Sequence, residues 1–147
     1  SKGIILDGID NLMVNFGKCC NPIPGDELIG FVTRGRGVTV HQSACKSLPL
    51  LSHESDRLIP VEWNVKSSDH FNVRLRVISQ DYKGALKDMS ECISKQNVNI
   101  ASVDIKVKES VAVAHFIVQV KNNRQLNRLM RKMTKLKNVD YVERAGR

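Results

Sequence analysis

The sequence predicts an α+β chain in two parts, a small β-rich part followed by one with the element order β-α-β-β-α-β. Three observations carry this. Three of the four cysteines and one of the four histidines fall between Gly17 and Cys45, in a stretch broken by proline and glycine. From Phe71 onward, apolar residues recur with the two-residue period of strands and the three-to-four-residue period of helices, in turn. Residues 1–65 hold six Lys and Arg against seven Asp and Glu, whereas residues 66–147 hold seventeen against eight, so all of the formal net charge of +8 lies in the second part.

In the first part, Ile4-Ile5-Leu6 and Leu12-Met13-Val14 alternate with Asp7-Gly8 and Asp10-Asn11, which predicts a short strand and turns. Pro22 and Pro24 hold the backbone extended or turning straight after Cys19-Cys20, because proline fixes φ and biases the residue before it away from helix. A hairpin follows: Leu28 to Thr33 and Val38 to Val40 flank the glycine-rich turn Arg34-Gly35-Arg36-Gly37. Ser43 is placed to cap a short helix through Cys45 to Leu51, which Pro49 limits. Arg57 to Trp63 reads as a closing edge strand, where Pro60 is tolerable, with Trp63 packed beneath the hairpin as core rather than used in binding. The polar Lys66-Ser67-Ser68-Asp69 segment marks the boundary, giving domains at 1–65 and 66–147. So small a first domain buries little apolar surface and gains from a metal or a neighbour.

The second part is regular. Phe71, Val73, Leu75 and Val77 alternate with Asn72, Arg74 and Arg76, predicting a half-buried strand. Lys83 to Gln96 sets Leu86, Met89 and Ile93 at helical spacing, with Asp81 near its start. Two strands follow, with Ala101, Val103, Ile105 and Val107 and then Ala112, Ala114, Phe116, Val118 and Val120 on one face, joined by a turn at Glu109-Ser110. Asn122 and Asn123 open a second helix striped by Leu126, Leu129, Met130, Met133 and Leu136, and Val139 to Glu143 supplies the last strand. This order closes as a four-stranded antiparallel sheet with both helices on one face. The other face carries Arg74, Arg76, Lys106, Val111, Val113, His115 and Ile117.

Three features carry candidate chemistry. The hairpin returns His41 and Cys45 toward Cys19 and Cys20, a thiolate and imidazole set suited to tetrahedral zinc. The spacing is unusual, since adjacent cysteines in an extended chain point opposite ways. The alternatives are reduced thiols in a small core, or a catalytic thiol with Lys18 or His41 as its nearby base. From Lys121 to Lys137 there are seven basic residues and no acidic one. At 100° per residue Arg124, Arg128, Arg131 and Lys135 line up opposite the apolar stripe, with Lys132 beside them. Such an unmixed stripe is a candidate phosphate-contacting surface, with Arg34 and Arg36 at the hairpin tip as a second contact; the rival is a basic, merely solvated helix. The turn Ser79 to Leu86, including Asp81, Lys83, Gly84 and Ala85, offers backbone N–H groups to a small carboxylate ligand, unless Asp81 only caps the helix.

There is no secretory signal, no initiator methionine and no apolar run long enough to cross a bilayer, and four cysteines with Cys92 isolated make no disulfide framework. The expectation is a soluble, cytoplasmic fragment of a larger protein whose anionic partner is nucleic acid rather than membrane. The open sheet face lacks the aromatics that base stacking would need.

The run Cys19-Cys20, Pro24-Gly25-Asp26, Thr33 to Val38 and His41-x3-Cys45 resembles the conserved-cysteine, zinc-finger-like domain of Rel/Spo stringent-response enzymes. Residues 70–147, with Asp81-x2-Gly84-x-Leu86 and Asn99-Ile100, resemble the ferredoxin-like ACT domain that ends those enzymes. The resemblance implies a parent that makes (p)ppGpp from ATP and GTP or GDP, often also hydrolysing it, with catalysis in N-terminal domains and no catalytic residue in this stretch. It implies Cys19, Cys20, His41 and Cys45 as the cysteine-site residues, the same set that their chemistry makes a candidate zinc site. It also implies docking on ribosomal RNA, with tRNA a further candidate, and control of the N-terminal domains of the parent chain. A rival reading makes the ACT half a dimerising sensor of a branched-chain amino acid, held by the Asp81 to Leu86 turn and Asn99. Here Lys83-Gly84 stands where many ACT domains have Pro-Gly. A third reading makes the cysteine cluster a thiol enzyme.

Overall fold

A computed structural model of the chain describes residues 3–6, 13–33, 35, 37–48 and 56–146. Its backbone divides into two units, Ser1–Asp69 with Gly146–Arg147, and His70–Ala145. Within the first unit, just before His70, the Lys66 N–H donates to Asp69 Oδ2 at 2.9 Å, and the Asp69 N–H to the Lys66 carbonyl at 3.0 Å, closing a polar turn.

Among its described residues the first unit has six short strands: β1 (Ile4–Leu6), β2 (Val14–Phe16), β3 (Leu28–Thr33), β4 (Gly37–Gln42), β5 (Leu58–Ile59) and β6 (Val61–Trp63). The β3–β4 hairpin forms as expected, in antiparallel register from Leu28 opposite Gln42 to Thr33 opposite Gly37. One sheet runs β2-β4-β3-β5, and β1 pairs with β6 in a second. β2 lies parallel to β4. Ile4, Val38, Val40 and Val61 form the buried cluster, flanked by Phe16 and Trp63. Trp63 stacks on Phe16 with centroids 5.8 Å apart and donates its Nε1–H to the Asp26 carbonyl at 3.1 Å, so it is a packing residue.

Two expectations are corrected here. The single edge strand over Arg57 to Trp63 is split at Pro60, which has no N–H to continue a ladder; β5 pairs with β3 and β6 with β1. The helix expected from Ser43 is replaced, over residues 43–48, by successive turns in which the Cys45 N–H bonds to the Gln42 carbonyl and the Leu48 N–H to the Cys45 carbonyl. The rest of that helix, residues 49–51, and the turns expected at 7–12 lie outside the described residues, as do Arg34 and Arg36.

The second unit runs β7 (Phe71–Gln80), α1 (Ala85–Lys95), β8 (Asn99–Lys108), β9 (Val111–Val120), α2 (Asn123–Thr134) and β10 (Val139–Ala145). Its sheet order is β10-β7-β9-β8, antiparallel throughout, so the expected β-α-β-β-α-β topology holds. Val73, Leu75, Val77, Ala114, Phe116 and Val118 face Met89, Ile93, Leu126, Leu129 and Met133 in the core. Glu109 and Ser110 both take positive φ, the geometry a two-residue hairpin turn needs to match strand twist. Asn97, also at positive φ, follows α1 where the helix hands over to β8. One stripe residue is misplaced by simple periodicity: Leu86 is 38% exposed, and Ala85, Met89 and Ile93 form the buried face of α1. β8 is an edge strand, and its helix-side residues Val103 and Val107 stay 43% and 53% exposed, because the helices do not extend over them.

Candidate metal centre and basic surface

The cysteine cluster is assembled by backbone geometry at both ends. Gly17 N–H bonds to the Val40 carbonyl at 2.8 Å, tying the end of β2 to β4, and Asn21 N–H returns to the Gly17 carbonyl at 2.8 Å. Residues 18–20 therefore form a turn, and Asn21, at φ 39, redirects the chain toward Pro22. That turn removes the difficulty of adjacent cysteines, since neither residue is in the extended conformation that would oppose their side chains. Asp26 closes the next turn by accepting the Ile23 N–H at 2.8 Å.

Cys19 Sγ lies 3.4 Å from His41 Nδ1 and 3.4 Å from Cys45 Sγ, and Cys20 Sγ lies 3.7 Å from His41 Nδ1. The four ligand atoms of Cys19, Cys20, His41 and Cys45 all fall within 4.8 Å of one another. Zinc bonded to sulfur at about 2.3 Å in a tetrahedron separates its sulfurs by roughly 3.8 Å, so the cluster has the dimensions of such a site. Two residues without an expected role complete it. Any Cβ on Gly17 would come within 2.6 Å of His41 Nδ1, so glycine is required for the imidazole to lie there. Gln42 donates its backbone N–H to Cys20 Sγ at 3.3 Å and its Nε2–H to the Cys20 carbonyl at 2.7 Å. The position of Gly17 directly before the cysteine turn was the only sequence signal for the first, and nothing signalled the second.

Burial lowers the His41 pKa, keeping the imidazole neutral and available as a ligand. Cys20 is pushed up to about 12, chiefly by burial, against the pull of the Gln42 N–H. Burial also raises Cys45, but hydrogen bonds from Ser47 and the neighbouring thiols outweigh it and bring its pKa down. A divalent metal would supply positive charge that favours thiolates, and the donor set fits one.

On the second unit, Asn122 caps α2 by accepting the Gln125 N–H on its Oδ1 at 2.9 Å. Arg124, Arg128, Arg131, Lys132 and Lys135 are all exposed, and among the described residues none joins an ion pair. Beside the stripe, Met130 and Val142 floor an open groove of about 450 Å³ rimmed by Asn127, Arg131, Thr134 and Lys135.

The Asp81 to Leu86 turn differs in detail from expectation. Gly84, at φ 93, is the N-cap of α1 and no side chain caps the helix, so Asp81 does not; its N–H bonds to the Ser110 carbonyl at 2.9 Å. Tyr82 donates its hydroxyl to Asp88 Oδ2 at 2.7 Å across the turn. A Cβ on Gly84 would meet nothing within 4 Å, so the turn's surface is open. Asn99 bonds to Gln119 across the sheet at 2.8 Å, and Gln119 stands opposite Asn72, whereas the turn follows Gln80. Eight residues at about 3.3 Å each separate them by roughly 26 Å along β7, so one copy of the chain does not bring Asn99 to the turn.

The RelA/SpoT RIS domain matches residues 4–64, and the ACT domain matches residues 67–144. The GTP pyrophosphokinase of Myxococcus xanthus is 40% identical over 97% of this chain and 19% of its own length. That of Escherichia coli K12 is 32% identical over 92% of this chain and 19% of its own. The chain thus spans about a fifth of the length of these relatives. The crystal structure of the ACT domain from the GTP pyrophosphokinase of Chlorobium tepidum, 29% identical, covers 52% of this chain and 99% of that one with a TM-score of 0.48.

Proposed function

The chain belongs to the ACT domain family, with a RelA/SpoT RIS domain ahead of its ACT domain, and from that premise we propose that it is the regulatory region of a stringent-response GTP pyrophosphokinase. In this reading the region binds ribosomal RNA and relays starvation signals to catalytic domains elsewhere in a longer chain that makes (p)ppGpp. The observation that carries RNA binding is the α2 stripe. Five exposed cations with no acidic neighbour on the helix repel one another, and a polyanion relieves that repulsion. Zinc, held by Cys19, Cys20, His41 and Cys45, serves as a structural staple that orders the first unit.

The test is co-sedimentation with ribosomes across a salt series. Affinity should fall linearly in log salt, each phosphate contact contributing about 0.7–0.9 to the slope. Arg128→Glu/Arg131→Glu should lower affinity at least tenfold and reduce the slope by about 2. Binding indifferent to salt and to the charge reversal overturns RNA docking and favours contact of α2 with the parent's own domains.

A second reading, a dimerising amino-acid sensor, is favoured by the edge of β8. Its sequence is self-complementary about Ile105: an antiparallel second copy sets Val103 against Val107 on the helix side and Asp104 against Lys106 on the open side. That pairing also carries Asn99 of the second copy toward the Glu109-Ser110 turn, whose carbonyl already holds the Asp81 N–H. A ligand site would then be complete only between two copies. Sedimentation should show Asp104→Lys dissociating the dimer and Asp104→Lys/Lys106→Asp restoring it. Calorimetry with valine giving no heat removes the sensor.

A further inference from the structure

We infer that Cys19 and Cys45 form an oxidation site, which a hydroperoxide-class oxidant closes into an intrachain disulfide while Cys20 is left reduced. The inference stands on the sulfur geometry and holds with or without a metal.

Three thiols offer three pairings, and the fold separates them. Cys19 Sγ and Cys45 Sγ are 3.4 Å apart, so a small rotation of the two side chains brings them to bonding distance. Cys19 is exposed and Cys45 is buried beneath it. The oxidant therefore meets Cys19 first, and the second thiol waits where the outer one must turn to find it. A Cys19–Cys20 bond is disfavoured because consecutive Cα atoms sit about 3.8 Å apart, inside the usual 4.4–6.8 Å span of a disulfide. Cys20 is also committed elsewhere. Its sulfur accepts the Gln42 N–H, and its carbonyl is held by the Gln42 side chain. Drawing the Cys20 sulfur in to bonding distance of Cys45 would release the Gln42 N–H that it accepts.

The chemistry balances in two steps. The Cys19 sulfur attacks the terminal oxygen of the hydroperoxide, the O–O bond breaks, and the products are a sulfenic acid and the corresponding alcohol, or water from hydrogen peroxide. The Cys45 sulfur then attacks the Cys19 sulfur, the S–O bond breaks, and the departing hydroxide takes the Cys45 proton and leaves as water. Two thiols lose two electrons in all, and the peroxide oxygen is reduced. Cys20 and His41 would remain as two donors, too few for a tetrahedral zinc site, so any zinc held there would be expected to leave as the disulfide closes.

The test uses the full chain treated with hydrogen peroxide in zinc-loaded and chelator-treated forms, followed by alkylation of the remaining thiols and peptide mapping. A peptide pair joined through Cys19 and Cys45, reversed by dithiothreitol, with Cys20 alkylated, is the expected result in both forms. In the zinc-loaded form, free zinc should rise in step with that pair. Cross-linking through Cys20, a disulfide between two chains, or Cys19 carried to sulfinic acid with no cross-link overturns the inference. In Cys45→Ser, Cys19 should be trapped as a sulfenic acid that reacts with dimedone. In Cys20→Ser the Cys19–Cys45 pair should still form, and its loss there contradicts the assignment. A Cys19–Cys45 disulfide forming in a chain that takes up no zinc supports the oxidation site and removes the metal reading, so the two fail separately.

Discussion

The two units reach order by different routes. Among the described residues the second unit buries fifteen apolar side chains and the first buries seven, one of which is Cys45 itself. Three strands of the second unit are ten residues long, while none in the first exceeds six. Long strands and two amphipathic helices let the second unit close a core on its own, and it carries its charge outside that core on α2. The described residues of the first unit bury fewer than half as many apolar side chains. It concentrates its specific contacts where Gly17, Cys19, Cys20, His41, Gln42 and Cys45 meet. The lesson is that a small irregular domain can draw on a few convergent polar side chains where its apolar core is limited.

The largest effect should come from breaking that convergence. Cys45→Ala or His41→Ala removes a donor from the candidate metal site, and if that site holds a metal the loss is on the order of several kcal/mol, comparable with the whole stability of a small domain. Calorimetry should show the first unit's transition lost and the second's kept. The reverse experiment is Phe116→Ala, which empties a fully buried site in the second sheet and should cost that unit about 3–5 kcal/mol while leaving zinc content unchanged.

A smaller, pH-dependent effect separates the units further. Burial depresses the His41 pKa below 6.5, so between the folded and unfolded values the unfolded chain binds the extra proton. Stability from neutral His41 is complete above about pH 6.5 and is lost as pH falls through the folded value; acid expulsion of a metal acts in the same direction. Denaturant midpoints at pH 7.5 and 5.5 should fall for the first unit and, for this cause, not for the second. The smallest effect belongs to Arg76→Ala. Its 3.1 Å pair with Glu143 is about a third exposed at both ends and should be worth less than about 1 kcal/mol in a melt of the second unit.

The same contrast governs how much was legible in the sequence. The second unit's topology could be read because period-two and helical spacings are local properties, and each segment was long enough to show them. Its errors arose where position in the sheet overrode period: Val103 and Val107 have the spacing of core residues but lie on an edge strand, and Leu86 faces out one step from Ala85. In the first unit the chemistry was readable and the geometry less so. The types Cys, Cys, His and Cys named a metal set, but their convergence depended on a turn at 18–20 and on β2 pairing in parallel with β4, contacts distant in sequence. Pro60 was recognised as a constraint on a strand, yet its splitting of that strand between two sheets depended on where β1 and β3 lie. The separation of Asn99 from the Asp81 turn likewise follows from register, which no motif encodes.

The measurement that tests this account most directly is residue-resolved hydrogen exchange on the zinc-loaded chain before and after chelation. The account predicts that amides of β2, β3, β4 and the cysteine turn lose protection, while β7, β9 and both helices of the second unit keep theirs. Unchanged protection in the first unit would show that its fold does not depend on the cluster, and loss in both units would contradict their independence.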